Sequence, residues 1–155
     1  MAADQRPFTA FNFRVTITLD GESAALCDAA FSECSGLELT AAVKTIRQGG
    51  DNARAIHLAG PVSYGQLTLK RGMTDTFDLW DWFQRVQTER HLRAKCQVAM
   101  LSSDRKRTNA SFVLTGCMPL KLRVPTLDAK EGALAIEEMQ IAYETLALAP
   151  GDGNG

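Results

Sequence analysis

The sequence has little of what side-chain catalysis requires. It contains two histidines, His57 and His91, and neither stands at metal-ligand spacing from another histidine, a cysteine or a carboxylate pair. Both read as exposed or structural residues. The four cysteines, Cys27, Cys34, Cys96 and Cys117, include no CxxC pair, which fits neither a zinc knuckle nor a secreted disulfide framework. They read as small buried apolar residues. There is no apolar run of the roughly eighteen residues needed for a spanning helix, and the opening "MAADQRPFTAFNF" lacks a signal-peptide core. The expectation is therefore assembly in the cytoplasm, without a direct membrane anchor. Charge of one sign is also missing: 17 Lys and Arg face 18 Asp and Glu, so no net field marks a polybasic partner. On the same cytoplasmic expectation, the sequon Asn109-Ala110-Ser111 stays unmodified.

Several partial motifs resolve into structural readings. "GPVSYG", Gly60 to Gly65, approaches a nucleophile elbow, but its first glycine lies three residues before Ser63 instead of two. A strand pattern also follows where the elbow needs a helix, so a turn into a strand is expected. Lys70 and Arg71 precede a helix start, as in many anion sites. Asp75, Asp78 and Asp81 already supply the negative charge a helix N-terminus favours, so Lys70 and Arg71 read as a solvated or subunit-facing strand end. Arg105-Lys106-Arg107 has no aromatic neighbours and reads as a solvated hairpin tip. With no acid/base pair, metal cluster, phosphate loop or triad, neither an enzyme nor a cofactor is expected.

What the sequence does have is strand periodicity. Phe11, Phe13, Val15, Ile17 and Leu19 alternate with polar residues as in a half-buried strand, and Asp20-Gly21 marks a turn. A second extended segment, Ala29 to Ile46, is expected to kink at Ser35-Gly36. Arg47 to Ala55 reads as a loop or projecting hairpin tip, and strand signals return from Ser63 to Lys70. The period then lengthens to 3.6. After a cap at Thr74 or Asp75, Leu79, Trp82, Phe83 and Val86 form one apolar helical stripe, which makes Trp82 core and leaves Trp80 as a rim or interface residue. Ala94 to Leu101 and Ala110 to Cys117 predict an antiparallel hairpin. Ala133 to Leu148 fits either period and, among so many strands, is read as a strand. The whole predicts one mainly β (α+β) domain over residues 1–149 and a flexible tail over 150–155. A β-rich domain of this size must also deal with its strand edges, by closing into a barrel or by pairing with copies of itself.

The order of these segments resembles a known family. "FNFRVTI", "FSECSGLEL", "RQGGDN", "LTLKRGMTDTFDLWDWF", "GCMPLKL" and "LDAKEGALAIEEMQIAYETL" are similar, nearly end to end, to the tail-tube (inner tube) proteins of contractile phages and extracellular contractile injection systems. Cys34 departs from the apolar or small residue expected there. The resemblance implies an Hcp-like antiparallel β-barrel or sandwich with one flanking α-helix. It implies homohexameric rings stacked into a hollow tube that a sheath drives through a target envelope. Its partners would be a sheath protein, baseplate, spike and tube-initiator proteins, and a cargo effector or DNA in the lumen. The mature particle would be a phage tail or a released extracellular particle.

The resemblance also implies that Leu67 and Leu69 point inward and that the helix stripe covers an open part of the barrel. Gly72 would make a tight exit from its strand, while Gly36, Leu37, Leu79, Trp82, Phe83 and Pro119 would be structural motif residues. Arg47, Gln48, Gly49, Gly50, Asp51 and Asn52, with Lys70, Arg71 and Trp80, become candidates for contacts between subunits or rings. Two alternatives stay open: a tube-initiator or baseplate paralogue forming a single ring, and a monomeric small-ligand-binding β-barrel.

Overall fold

A computed structural model describes residues 12–47, 49, 55–130, 132 and 134–151. Phe11, the expected start of the first strand, lies outside them. The described chain forms β1 (Phe13–Leu19), β2 (Cys27–Ala29), β3 (Glu33–Ser35), β4 (Leu39–Arg47), β5 (Ala55–Tyr64), β6 (Gln66–Gly72), α1 (Asp78–Thr88), β7 (Ala94–Leu101), β8 (Thr108–Arg123), β9 (Ile136–Ala142) and β10 (Thr145–Pro150). The fold is mainly antiparallel β with one helix, as the periodicities predict.

The strands run in the order β2-β1-β7-β8-β9-β6-β3, with β10 also on β8, while β4 and β5 pair only with each other. The path does not close into a hydrogen-bonded barrel. It folds over as a sandwich, and β8 serves both layers. The first half of β8 pairs β7 and β10, and Met118 to Arg123 pair β9. The change of partner falls next to Gly116, whose φ is 64°, a conformation glycine adopts without strain. Pro119 is buried at a register shift in the β8–β9 ladder, where a residue without an N–H costs the ladder little.

The interior is filled by alternate residues of both layers. Val15, Ile17, Cys96 and Leu114 come from one layer, and Leu67, Leu69, Met139 and Ile141 from the other, with Leu79 and Trp82 added by α1. Leu67 and Leu69 point inward, and Phe83 and Val86 pack against this core from the edge of the helix. Cys27, Cys96 and Cys117 are buried free thiols, and Cys34 is half-buried. Burial pushes the Cys34 thiol up to about 11 and the Cys27 thiol up to about 12.

The kink expected at Ser35-Gly36 is present. Gly36 has φ 92°, and a Cβ there would lie 1.8 Å from the carbonyl oxygen of Gln66, so only glycine fits. Four expectations change. The helix begins at Asp78, not after a Thr74 or Asp75 cap, and its cap position, Phe77, makes no side-chain cap hydrogen bond. Gly72 makes no tight exit: it pairs with Ile136 as the last residue of β6, with open space where a Cβ would sit. Strand signal begins at Ala55, not Ser63, so "GPVSY" lies inside β5. Finally, the C-terminal segment is two strands, β9 and β10, separated at Tyr143-Glu144.

Candidate assembly interface

The surface that stands out is the β4–β5 hairpin, here called the arm. Every residue of β4 is exposed, as are all but two of β5. Yet the arm carries Leu39 at 60%, Val43 at 65%, Ile46 at 41%, Ile56 at 42%, Leu58 at 44% and Val62 at 52% exposure. A lone two-stranded ribbon is at best marginal in water, and β-branched and leucine side chains on such a ribbon stabilise it only when something covers them. Among the described residues of the arm the charges are Lys44 and Arg47, with His57 and no carboxylate.

Local sequence explains how the arm leaves the body. Gly36 turns the chain, and Tyr143 holds the root. Its hydroxyl donates to the Gly36 carbonyl at 2.8 Å and accepts from the Glu38 amide at 3.2 Å. Its ring lies 5.7 Å from that of Tyr64, the last residue of β5. Gly65 N–H closes the base onto the Glu38 carbonyl. The arm is thus anchored at one end by core residues and otherwise extends away from them.

Of the sequence-derived contact candidates, Arg47 ends β4 opposite Ala55, and Gly49 is an exposed turn residue. Gln48, Gly50, Asp51 and Asn52 lie outside the described residues. Lys70 is on the surface, paired with Glu33 at 3.0 Å. Trp80 is 46% exposed and, with Phe83, Gln84, Gln87 and Leu122, lines a surface groove of about 360 Å³. Trp82, two residues on, is fully buried. Its Nε1 has no hydrogen-bond partner among the described residues.

Arg71 corrects the expectation that it faces solvent or another subunit. It is 8% exposed, and its guanidinium is ion-paired to Asp78 of α1 and Glu137 of β9. The guanidinium carbon stands 5.3 Å from the Phe31 ring centroid. Burial opposes its charge, but the hydrogen bonds to Asp78 and Glu137 outweigh that and hold its pKa above the ordinary arginine value. The signal for this was in the strand period. Leu67, Leu69 and Arg71 share the inward face of β6, as Glu137, Met139 and Ile141 share that of β9. Arg71 and Glu137 are direct cross-strand partners. Asp78 is committed to this network, which also explains why the helix starts there. No group of three or more His, Cys, Asp or Glu able to hold a metal occurs among the described residues.

The β-sandwich with its exposed arm has an Hcp-like fold. Residues 9–147 match the model of the T4-like virus tail tube protein gp19 family. The chain belongs to that family; it is a tail tube protein. In fold it is similar to a chain in the cryo-EM structure of the anti-feeding prophage (AFP) baseplate, with 25% identity and a TM-score of 0.82, covering 94% of this chain and 97% of that one. It is also similar to a chain of an extracellular contractile injection system, the PVC sheath-tube complex in its extended state, at 18% identity and a TM-score of 0.81 over 95% and 94% of the two chains. Hcp1 from Flavobacterium johnsoniae shares the fold more distantly, at 14% identity and a TM-score of 0.50 over 91% and 99%. No curated protein sequence matches.

Proposed function

We propose that this protein is the repeating subunit of the inner tube of a contractile injection particle. Six copies close into a ring, rings stack into a hollow tube, and a sheath contracting around the tube drives it through a target envelope. The lumen holds or passes cargo, an effector or DNA. The baseplate, spike and initiator proteins are its partners at one end, and the tube is assembled in the cytoplasm before the particle is released. The subunit's work is mechanical, needing repeated interfaces and no cofactor.

The observation that carries this reading is the arm. Its apolar side chains are exposed and no described residue covers them, while the body's core is complete without them, so neighbouring copies are the proposed cover. Heterologous contacts that close at six give a ring. Arg47 at the end of β4 and residues 48–52, as the sequence leads one to expect, are the proposed contact points, with Lys70 and Trp80 on the body. Among the described residues, side chains of both layers and the fully buried Trp82 of α1 pack into one core, which counts against a barrel built around a ligand cavity. A second reading, an initiator that forms one ring at the baseplate, draws support from the likeness to a chain of the AFP baseplate structure.

Solution mass across a concentration series, with negative-stain microscopy of the same fractions, tests both. Hollow tubes support the tube subunit, and rings that never extend support the initiator. A monomer at every concentration refutes both.

A further inference from the structure

We infer that Cys96 and Cys117 are an oxidative modification site, a dithiol that a low-molecular-weight disulfide converts into a cross-strand disulfide locking β7 to β8. The inference stands on the fold and does not depend on the proposed function.

Strand register singles out this pair among the four cysteines. Cys27 opposes Ile17, and Ile17 opposes Cys96, so Cys27 and Cys96 lie two strand spacings apart, about 10 Å. Cys34 opposes Leu69 in the other layer, and packed sheets also stand about 10 Å apart. Bridged cysteines need Cα atoms within about 7 Å, which leaves both out of reach. Cys96 and Cys117, by contrast, are on adjacent strands: Ala94 opposes Cys117, and Cys96 opposes Leu114. Both side chains are buried in the one core, and their thiols hydrogen-bond each other.

The pair also flanks an irregularity in its own ladder. The β7–β8 register shifts between Ala94 and Cys96, so Lys95 faces Thr115 and Gly116 together, a bulge with Gly116 at φ 64°. A bulge interrupts the ladder, which gives the strands room to draw the sulfurs together and makes this stretch the favoured place for local opening. Opening is required. In the closed state both thiols are shut off from solvent, and the hydrogen bond to Cys117, with burial, holds the Cys96 thiol protonated well above its ordinary range, whereas the thiolate is the reacting form. Once open, one cysteine gives its proton to water, attacks the small disulfide and expels one of its sulfurs as a thiolate. The other cysteine, likewise deprotonated, attacks the protein sulfur of that mixed disulfide and expels the second. Each expelled thiolate takes up a proton, so the protein loses two electrons and two protons while one small disulfide becomes two thiols. A chain made in a reducing compartment stays a dithiol and closes when carried into oxidising surroundings.

The test incubates the folded protein with 2-hydroxyethyl disulfide, quenches with acid, and reads intact mass, thiol count in denaturant and a tryptic map without reductant. A loss of about 2 Da relative to the reduced protein is expected, with two of the four thiols remaining and the peptides 96–105 and 108–121 joined. Cys34→Ala should give the same linkage, and Cys117→Ala none. The bridge closes a loop of about twenty residues, so the oxidised protein should melt roughly 10 °C higher. Four free thiols after treatment, a mixed disulfide that does not resolve, a bridge to Cys27 or Cys34 or between chains, or a melting point at or below that of the reduced protein overturns the inference.

Discussion

Replacing Arg71 with methionine keeps the apolar stem and removes the cation. Asp78 and Glu137 stay where they are, with side chains only 11% and 9% exposed, and neither retains its ion-pair partner. Breaking a buried pair by removing one member costs about 3–5 kcal/mol, a large share of the roughly 5–15 kcal/mol that holds a domain folded. At this chain length that corresponds to a fall in Tm of roughly 6–20 °C. The loss should fall toward the lower figure because Asp78 also sits at the start of α1, where the helix dipole favours its charge. The assay is urea and thermal unfolding of the dispersed subunit, below the concentration at which it assembles. Two comparisons separate burial from charge count. Lys70→Met, one residue away and exposed, should leave the midpoint unmoved. Arg71→Met with Asp78→Asn and Glu137→Gln should regain most of the loss, since a fully neutral cluster leaves no charge unpaired. If Arg71→Met unfolds at the same midpoint as Lys70→Met, the buried network does not hold the sheets and helix together as described.

Two further substitutions probe the fold by the same unfolding assay. Trp82→Ala should cost about 3–5 kcal/mol as a large core truncation, with Trp82→Phe much milder because it also removes the unpartnered indole N–H; Trp80→Ala should change assembly more than stability, and equal losses at the two tryptophans would refute the face assignment of α1. Gly36→Ala should be strongly destabilising and Gly72→Ala neutral or slightly stabilising, since a Cβ meets the Gln66 carbonyl at the first and open space at the second; the reverse order would contradict the backbone path at the root of the arm.

Much of the fold was legible because burial imposes a period. Val15, Ile17 and Leu19, or Met139 and Ile141, alternate because one face of each strand meets the core. Leu79 and Trp82 recur at helical spacing for the same reason. The returning strand of the arm, from Ala55, escaped for the converse reason. Apart from Tyr64 at the root, β4 and β5 set no residue against the body's core, so no burial period marks them, and Gly60 and Pro61 look like strand breakers. They are tolerated because they form a bulge in the β4–β5 ladder and because β5 pairs on one side only. The helix start was misplaced because Thr74 and Asp75 have good capping chemistry, whereas the actual start is set by a tertiary partner, Arg71, seven residues earlier in the chain. Composition makes Arg71 a surface residue; only its phase with Leu67 and Leu69 shows that it points inward.

The 16 residues of β8 belong to both layers of the sandwich, and that has a mechanical meaning. A load applied to the β7 and β10 side reaches the β9 side through continuous backbone, not through side-chain packing alone. The layers cannot slide past one another without distorting β8 near Gly116, where its ladders to β7 and β10 give way to its ladder with β9. The two layers are therefore linked through one shared strand, an arrangement that suits the proposed role of a repeating unit in a stacked tube.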